Sequence, residues 1–280
     1  MMPGISSLSS VLYLTFTLLT NICVAPEYPA NIGDNCSIAN TSVGPSEILV
    51  FKAFYNWKFI WMPAGEAKFT IKENRYDYEV TVVGKTYESY NSFFKVNDYF
   101  YSKIDKRTMY PKNFVRIVEE GDYRKFDSIS FDQENHTAVA YTGKSRRQAV
   151  RSESNTKECM HDLLSVLYFM RNIKVDQYQP GDFIPTKLYF DNEIYPVNVK
   201  YIGKDKKKKI KGLGTFNTIK VIPDLISGHV FKDNQKMKVW VSDDENKLPL
   251  QVESPLYIGS AKAVLISYSN LRHPLNSKIK

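Results

Sequence analysis

Apolar and polar residues alternate along most of the chain beyond residue 47. Tyr78, Val80 and Val82 are separated by single polar residues, and Leu250 and Val252 are separated in the same way. This period of two is typical of strands that bury one face. Turn-forming residues interrupt the alternation about every 8–12 residues, which predicts an antiparallel meander. The predicted turns lie at 106–108, 120–121, 133–135, 191–192 and 242–246.

Two stretches depart from this alternation. Ile48 to Met62 is apolar on both phases, which predicts one long central strand, and Pro63-Ala64-Gly65 then predicts a turn. Gly143 to Lys157 is basic and polar and has no strand pattern, so we expect an exposed linker there.

One segment has the periodicity of a helix. Between Cys159 and Asn172, the residues Leu163, Val166, Leu167 and Met170 follow the spacing i, i+3, i+4, i+7. This spacing predicts an amphipathic helix whose apolar stripe faces the core. The fold class predicted is therefore mainly β, a large curved antiparallel sheet or open β-barrel with one principal α-helix.

The domain organisation follows from the same pattern. Residues 1–25 are predicted to be a signal peptide, 26–46 an irregular lead-in, 47–275 a single β-rich domain and 276–280 a tail. Residues 1–25 carry no charged side chain, and the apolar run Val11 to Ala25 is shorter than the roughly 20 residues of a membrane span. The alternatives are an uncleaved anchor helix and lipidation at Cys23. We expect an exported protein.

Export places the cysteines in an oxidising compartment. After cleavage of a signal peptide two of the three cysteines remain, Cys36 and Cys159, and these allow one intramolecular pairing. We expect a disulfide between them, and the alternative is two unpaired thiols.

Aromatic residues are abundant, at 14% of the chain, with 19 Tyr and 16 Phe. They favour strands. Their number also suggests a ligand-binding face, because aromatic side chains line many apolar sites. We expect a lipid or other amphiphile on the concave face of the sheet, and the alternative is that the same residues fill the core. The predicted lining residues are Trp57, Phe59, Trp61, Phe93, Phe94, Phe100 and Tyr101.

The net charge of +8 is concentrated in one run. Lys204 to Lys211 contains six Lys and one Asp, a net of +5. Its functional interpretation is contact of Lys206, Lys207, Lys208 and Lys209 with an anionic lipid or polysaccharide surface. The alternative is a solvated hairpin tip between Tyr201 and Phe216. We expect no nucleic-acid partner, because no aromatic residues interleave with these lysines.

Motifs for catalysis, metals and cofactors are missing from the sequence. Gly84-Lys85-Thr86 and Gly143-Lys144-Ser145 lack the earlier glycine of a phosphate-binding loop. The four histidines have no zinc-site spacing, and Asp243 to Asn246 is too short a run for a calcium site. His161 and Asp162 are interpreted as the capped start of the helix. We therefore predict no enzyme activity, no catalytic residue, no metal and no cofactor.

Runs such as Tyr55-Asn56-Trp57, Ser92 to Asp98 and Asp162 to Tyr168 follow one another in a specific order. This order resembles one family of exported bacterial proteins, the domain of unknown function 3108. The similarity runs from about Ile48 to Leu275, and the ending Leu271-Arg272-His273-Pro274-Leu275 resembles versions from the Bacteroides group. It implies a β-rich fold in the periplasm or on the periplasmic face of the outer membrane, with no established activity and no catalytic residues. The matching runs are Tyr55-Asn56-Trp57, Ile60 to Ala67, Ser92 to Asp98, Glu119 to Tyr123, Asp162 to Tyr168, Pro180-Gly181-Asp182, Tyr201-Ile202-Gly203 and Trp240 to Asn246.

The function predicted from the sequence is non-catalytic binding of a lipid or other amphiphile on a curved β-sheet. The alternative is a scaffold or interaction protein of the bacterial envelope that has no small-molecule ligand. An envelope protein and an anionic membrane surface are the other candidate partners. The sequence does not determine the oligomeric state.

Overall fold

A computed structural model describes residues 36–57, 60–92, 94–223, 236–256 and 259–280. The predicted signal peptide therefore lies outside the described residues. Cys36–Lys280 form one unit, built on a single antiparallel sheet of fourteen strands. Its order is β8-β7-β6-β5-β4-β3-β2-β1-β14-β13-β12-β11-β10-β9, so the chain forms two meanders that are joined through β1 and β14.

The strands account for most of the described chain, and two short helices accompany them. The helices are α1, Glu88–Asn91, and α2, Ser165–Met170. The strands are β1 Ile48–Trp57, β2 Ile60–Glu73, β3 Asp77–Thr86, β4 Asn97–Asp105, β5 Pro111–Glu120, β6 Tyr123–Asp132, β7 Thr137–Gly143, β8 Val150–Asn155, β9 Phe183–Phe190, β10 Glu193–Ile210, β11 Gly214–Pro223, β12 Lys238–Ser242, β13 Pro249–Pro255 and β14 Ser260–Ser269.

The sheet curves until its two edge strands, β8 and β9, approach each other. Side chains span the gap: the Ser152 hydroxyl donates to the Asn192 side chain at 3.0 Å, and the Ser154 and Tyr189 hydroxyls lie 2.9 Å apart. The edges themselves are not paired through their backbones, so the sheet is open. The predicted curved sheet or open barrel is confirmed.

The segment from Cys159 to Tyr178, which contains α2, fills the concave side of the sheet, and we call it the plug. Its buried side chains share one hydrophobic cluster with residues from β2 to β7 and from β9 and β10, so these strands wrap around it. We call the sheet face that contacts the plug the inner face. The plug side chains in this cluster are Met160, Leu164, Tyr168, Phe169 and Ile173.

A buried ion pair holds the plug to the start of the sheet. The guanidinium of Arg171 donates to both carboxylate oxygens of Glu47, at 2.6 and 2.8 Å. It also donates to the backbone carbonyls of Ser42 and Asn246. Arg171 and Glu47 are 4% and 1% exposed, so neither charge has water as an alternative partner.

The predicted disulfide is confirmed. Cys36 and Cys159 are bonded, with their Cα atoms 5.9 Å apart and a sequence separation of 123. The bond fixes the irregular lead-in to the first residue of the plug. Asn172 adds a second attachment, because its side-chain oxygen accepts the backbone N–H groups of Thr41 and Ser42.

The prediction of one long strand from Ile48 to Met62 is wrong. This stretch contains all of β1 and the first residues of β2, paired as a hairpin in which Trp57 lies opposite Ile60. The predicted turn at Pro63-Ala64-Gly65 lies inside β2, beside an irregularity in register. A Cβ atom on Gly65 would approach the backbone oxygen of Lys85 to 2.2 Å, so glycine here permits close contact between strands.

The predicted helix from Cys159 to Asn172 is shorter than expected. His161 pairs with β9 instead, since its N–H and C=O bond to Lys187 and Tyr189, and α2 begins only at Ser165. The predicted apolar stripe is correct only in part, because Leu167 is exposed while Tyr168 and Phe169 are buried.

The predicted linker from Gly143 to Lys157 contains the edge strand β8. Residues 150–155 alternate between exposed and half-buried positions without a buried face, which explains why no apolar pattern marks this strand. The segment 276–280, predicted as a tail, lies along β11, where Asn217 N–H donates to the carbonyl of Ser277.

The remaining turn predictions agree with the structure. Asp191 and Asn192 connect β9 to β10, and both have the positive φ that a tight two-residue hairpin requires. Within the described ranges, no helix has the length and apolar character needed to cross a bilayer.

Candidate functional site

A groove of about 740 Å3 lies against the outer face of the sheet, the face directed away from the plug. Its apolar floor comes from three adjacent strands: Val115 and Ile117 on β5, Phe126 on β6 and Tyr141 on β7. The register places them on one face, because Ile117 lies opposite Phe126, and Ser128 lies opposite both Val115 and Tyr141. Ile117 and Tyr141 are 38% and 44% exposed, so this floor is accessible from solvent.

Basic side chains surround the floor at one end. Arg124 is the second residue of β6, and Lys144 and Arg146 belong to the loop between β7 and β8. Among the described residues none of these three cations forms an ion pair with a carboxylate, although Arg124 donates to the carbonyls of Gly121 and Tyr123. Glu119 is the carboxylate in the lining, and it accepts a hydrogen bond from Asn97. The groove therefore has an apolar floor and a net positive rim.

The loop after β7 turns sharply back over the sheet to reach this position. A Cβ atom on Gly143 would lie 2.5 Å from the carbonyl oxygen of Gln148, so the tight approach of the returning chain requires glycine. A short 3-10 helix at Arg146–Gln148 follows, and it places Arg146 at the groove.

The aromatic residues predicted to line a ligand site do not form one cluster. Phe59, Phe93 and the side chain of Trp57 lie outside the described residues. Phe100 contacts the plug cluster on the inner face, whereas Tyr101, the next residue along β4, points to the outer face.

Trp61 and Phe94 lie apart from the core, at 38% and 45% exposure. The ammonium of Lys262 lies 4.0 Å from the centroid of the Trp61 ring. The ring of Phe94 lies beside Gly121, in the turn between β5 and β6. Both aromatic residues therefore belong to hairpin ends and not to the concave face.

Lys206, Lys207, Lys208 and Lys209 lie within β10, and the hairpin turn follows at 211–213. A bulge between Asp205 and Lys208 interrupts the strand, and the ammonium of Lys208 lies 3.9 Å from the centroid of the buried Trp240 ring. The other three lysines are exposed. Contact of these lysines with an anionic surface stays a prediction.

The structure brings together two carboxyl groups that the sequence pattern did not predict to be neighbours. Asp98 on β4 and Glu120 on β5 lie close together on the inner face, near enough for each carboxyl group to shift the pKa of the other. Burial raises the pKa of both groups, and the charge of Asp98 raises the pKa of Glu120 further. Glu119 and Glu120 are adjacent on β5 and point to opposite faces, and only the register of β4 and β5 identifies Asp98 as the neighbour of Glu120. Within the described part of the chain no three His, Cys, Asp or Glu residues form a metal-binding group.

Asp162 caps the turn that leads into α2, as expected, whereas His161 pairs with β9. The Asp162 carboxylate accepts the N–H groups of Leu164 and Ser165, and the Ser165 hydroxyl accepts the N–H of Asp162. This reciprocal arrangement is a capping box. Ser102 on β4 donates to the other carboxylate oxygen, and the His161 ring stacks on Tyr110 at 4.1 Å between centroids.

Burial shifts the pKa values of His161 and Asp162 in opposite directions. It lowers the pKa of His161 from 6.5 to about 3, so the unfolded chain binds a proton that the folded protein does not, and stability falls as the pH drops below 6.5. Burial also raises the pKa of Asp162 from 3.8 to about 6, against the lowering effect of its hydrogen bonds. The folded protein then binds the extra proton, so this group adds stability as the pH falls from 6 to 3.8.

Asp162→Asn is therefore expected to remove the compensating effect. Its side-chain oxygen can still cap the helix, but the free energy of unfolding should fall more steeply between pH 6 and pH 4 than in the wild type. The added slope is at most about 1.4 kcal/mol per pH unit, the equivalent of one proton. Denaturant unfolding at several pH values measures it, and Asp122→Asn in an exposed turn is the matched control. If the free energy of unfolding of D162N and of the wild type changed equally with pH, the raised pKa of Asp162 would be contradicted.

Comparison with known proteins supports the resemblance seen in the sequence. The family model described as "Protein of unknown function (DUF3108)" matches residues 50–266. The chain belongs to this family. The DUF3108 region includes the groove and the plug, whereas Cys36 precedes it, so the disulfide joins the family region to the segment before it.

A solved structure shows a similar fold. The DUF3108 chain is similar to a beta-barrel-like protein of domain of unknown function DUF1849 from Brucella abortus, with a TM-score of 0.56 and 10% sequence identity. The match covers 83% of this chain and 99% of that one. At this identity the likeness concerns the fold alone. No curated protein matches the sequence.

Proposed function

We propose that this DUF3108 protein binds a small anionic amphiphile, such as a fatty acid, in the groove on the outer face of β5, β6 and β7. The observation that carries the proposal is the combination of an apolar floor with a basic rim whose cations, Arg124, Lys144 and Arg146, form no ion pair with a carboxylate among the described residues. An acid with an apolar tail matches both parts, since its tail can cover Ile117, Phe126 and Tyr141 while its head reaches Lys144 and Arg146.

The dimensions of the groove support a ligand of this class. Its volume of about 740 Å3 is within the range of roughly 300–1,000 Å3 that small-molecule sites occupy. The concave side offers less space for a ligand, because the plug packs there against eight strands. The groove therefore replaces the concave face as the proposed site for the amphiphile that the sequence suggested.

We propose binding without catalysis. His161 lies within hydrogen-bond distance of Ser165 and next to Asp162, as a catalytic histidine would. Both His161 and Asp162 are buried in the hydrogen-bond network at the start of α2, so a substrate would not reach them. The proposed location remains the periplasm or the periplasmic face of the outer membrane. The disulfide supports an oxidising compartment. A Bacteroides-type origin stays a prediction from the residues at 271–275.

Three probes separate the two parts of the site. Dodecanoate has both a tail and a charge, dodecanol has the same tail without the charge, and acetate has the charge without the tail. Calorimetric titration should show binding of dodecanoate, weaker binding of dodecanol and no binding of acetate. Equal affinity for dodecanoate and dodecanol would remove the proposed role of the basic rim.

The double substitution Lys144→Gln/Arg146→Gln is expected to weaken dodecanoate binding about tenfold, equivalent to about 1.4 kcal/mol. The reason is the loss of two of the three cations beside the floor that form no ion pair among the described residues. Binding of dodecanol should stay unchanged, because its uncharged hydroxyl group does not depend on the cations that the substitutions remove. Lys206→Gln/Lys207→Gln removes the same charge from β10 and should leave both affinities unchanged. An equal effect of the two double substitutions would show that net charge, and not the groove, determines affinity.

A further inference from the structure

The antiparallel order brings several loops to one end of the sheet. At this end β1 meets β2, β3 meets β4, β5 meets β6 and β7 meets β8. On the β1–β8 side of the sheet, the described loops at this end are 87–92, 94–96, 121–122 and 144–149. The basic end of the groove, formed by Arg124, Lys144 and Arg146, belongs to the same set of loops.

Large apolar side chains project from this end into solvent. Ile60 is 66% exposed, Tyr123 57% and Val150 72%, and the half-exposed Phe94 lies between them in the strand order. We call these four residues the apolar rim. Single exposed apolar residues are common, but four on adjacent hairpin ends of one sheet form a repeated feature that marks an interaction surface.

Charge at the apolar rim is predominantly positive. The described loops and the first residues of β6 supply Lys95, Arg124, Lys144, Arg146 and Arg147, against the carboxylates of Glu88 and Asp122. Among the described residues, Lys95 and Arg147 form no ion pair. They also lie outside the groove lining, so their charge is available to a second partner.

We propose that the apolar rim docks on an anionic lipid bilayer. Aromatic and aliphatic side chains enter the interfacial region of a bilayer, while nearby Lys and Arg side chains are attracted to anionic headgroups. The rim presents both kinds of side chain at one end, and the basic residues of the groove lining lie at the same end. This docking goes beyond the proposed binding of a monomeric amphiphile and does not depend on it.

Vesicle co-sedimentation tests the docking directly. Wild-type protein should sediment with vesicles of phosphatidylcholine and phosphatidylglycerol and far less with phosphatidylcholine alone, and added salt should weaken the binding. Ile60→Ser/Tyr123→Ser/Val150→Ser and Lys95→Gln/Arg147→Gln should each lower the vesicle partition coefficient about tenfold or more. All variants carry the same N-terminus, so any binding through residues 1–35 is common to them.

Matched controls lie at the opposite end of the strands. Tyr76→Ser removes a side chain that is 62% exposed, and Lys72→Gln/Lys157→Gln removes two exposed cations outside the lysine run of β10. Both should bind vesicles as the wild type does. The proposal is overturned if the rim variants bind vesicles like the wild type, or if the lysine control alone loses binding.

The same variants separate docking from the proposed function. The rim substitutions spare the groove lining, so they should leave dodecanoate affinity unchanged while vesicle binding is lost. Lys144→Gln/Arg146→Gln should weaken dodecanoate binding in the absence of vesicles. Loss of dodecanoate binding in the rim variants, with folding intact by circular dichroism, would contradict two separate surfaces.

Discussion

Arg171→Met is expected to lower the free energy of unfolding by about 3–5 kcal/mol, the usual effect of removing one partner from a buried ion pair. The substitution leaves Glu47 without its cation at a position that is 1% exposed. It also leaves the carbonyls of Ser42 and Asn246 without the guanidinium donor. Denaturant unfolding followed by circular dichroism measures the loss.

A second variant separates the charge from the shape of the side chain. Arg171→Met/Glu47→Gln should be less destabilised than Arg171→Met, because the uncompensated carboxylate is gone. Arg151→Met is the control, since Arg151 pairs with Glu153 on an exposed edge strand and its loss should not change stability measurably. If R171M were as stable as R151M, the ion pair would not hold the plug in place.

The double substitution Cys36→Ala/Cys159→Ala is expected to cost about 2–5 kcal/mol of unfolding free energy. The bond closes a loop with a sequence separation of 123, so its loss gives the unfolded chain more freedom. Reduction of the wild type should produce a similar loss, whereas reduction of the double variant should have no further effect. Unchanged unfolding on reduction would show that the lead-in is held by Asn172 and the Arg171 pair alone.

The outline of the fold was readable from the sequence because its meander is local. Alternation along β3 marked a strand with one buried face, alternation at Leu250 and Val252 marked β13, and Asp191-Asn192 marked a two-residue hairpin. The cysteine pairing followed from the number of cysteines that remain after signal cleavage. These signals depend only on nearby residues or on simple counting, and tertiary contacts did not override them.

Predictions failed where contacts between distant segments decide the structure. Edge strand β8 has no buried face, so no pattern marked it. The helix pattern continued through His161, but the backbone of that residue pairs with β9, which is distant in sequence. Propensity cannot reveal such a pairing.

The groove could have been suspected from one local signal. Phe114, Val115, Ile117 and Val118 make β5 apolar on both phases, although only one face of this strand contacts the plug. The apolar floor itself could not be predicted, because Ile117, Phe126 and Tyr141 come together only through the register of three strands. The position of Arg146 depended on the sharp return of the chain at Gly143.

The central claim is that an anionic amphiphile occupies the outer groove and not the space inside the sheet. Photo-cross-linking with a diazirine derivative of dodecanoate, followed by peptide mapping, tests it most directly. We expect adducts on β5, β6 and β7, at or beside Ile117, Phe126 and Tyr141, and a strong reduction in Lys144→Gln/Arg146→Gln. Adducts concentrated on the plug between Cys159 and Tyr178, or labelling unaffected by the double substitution, would contradict the account.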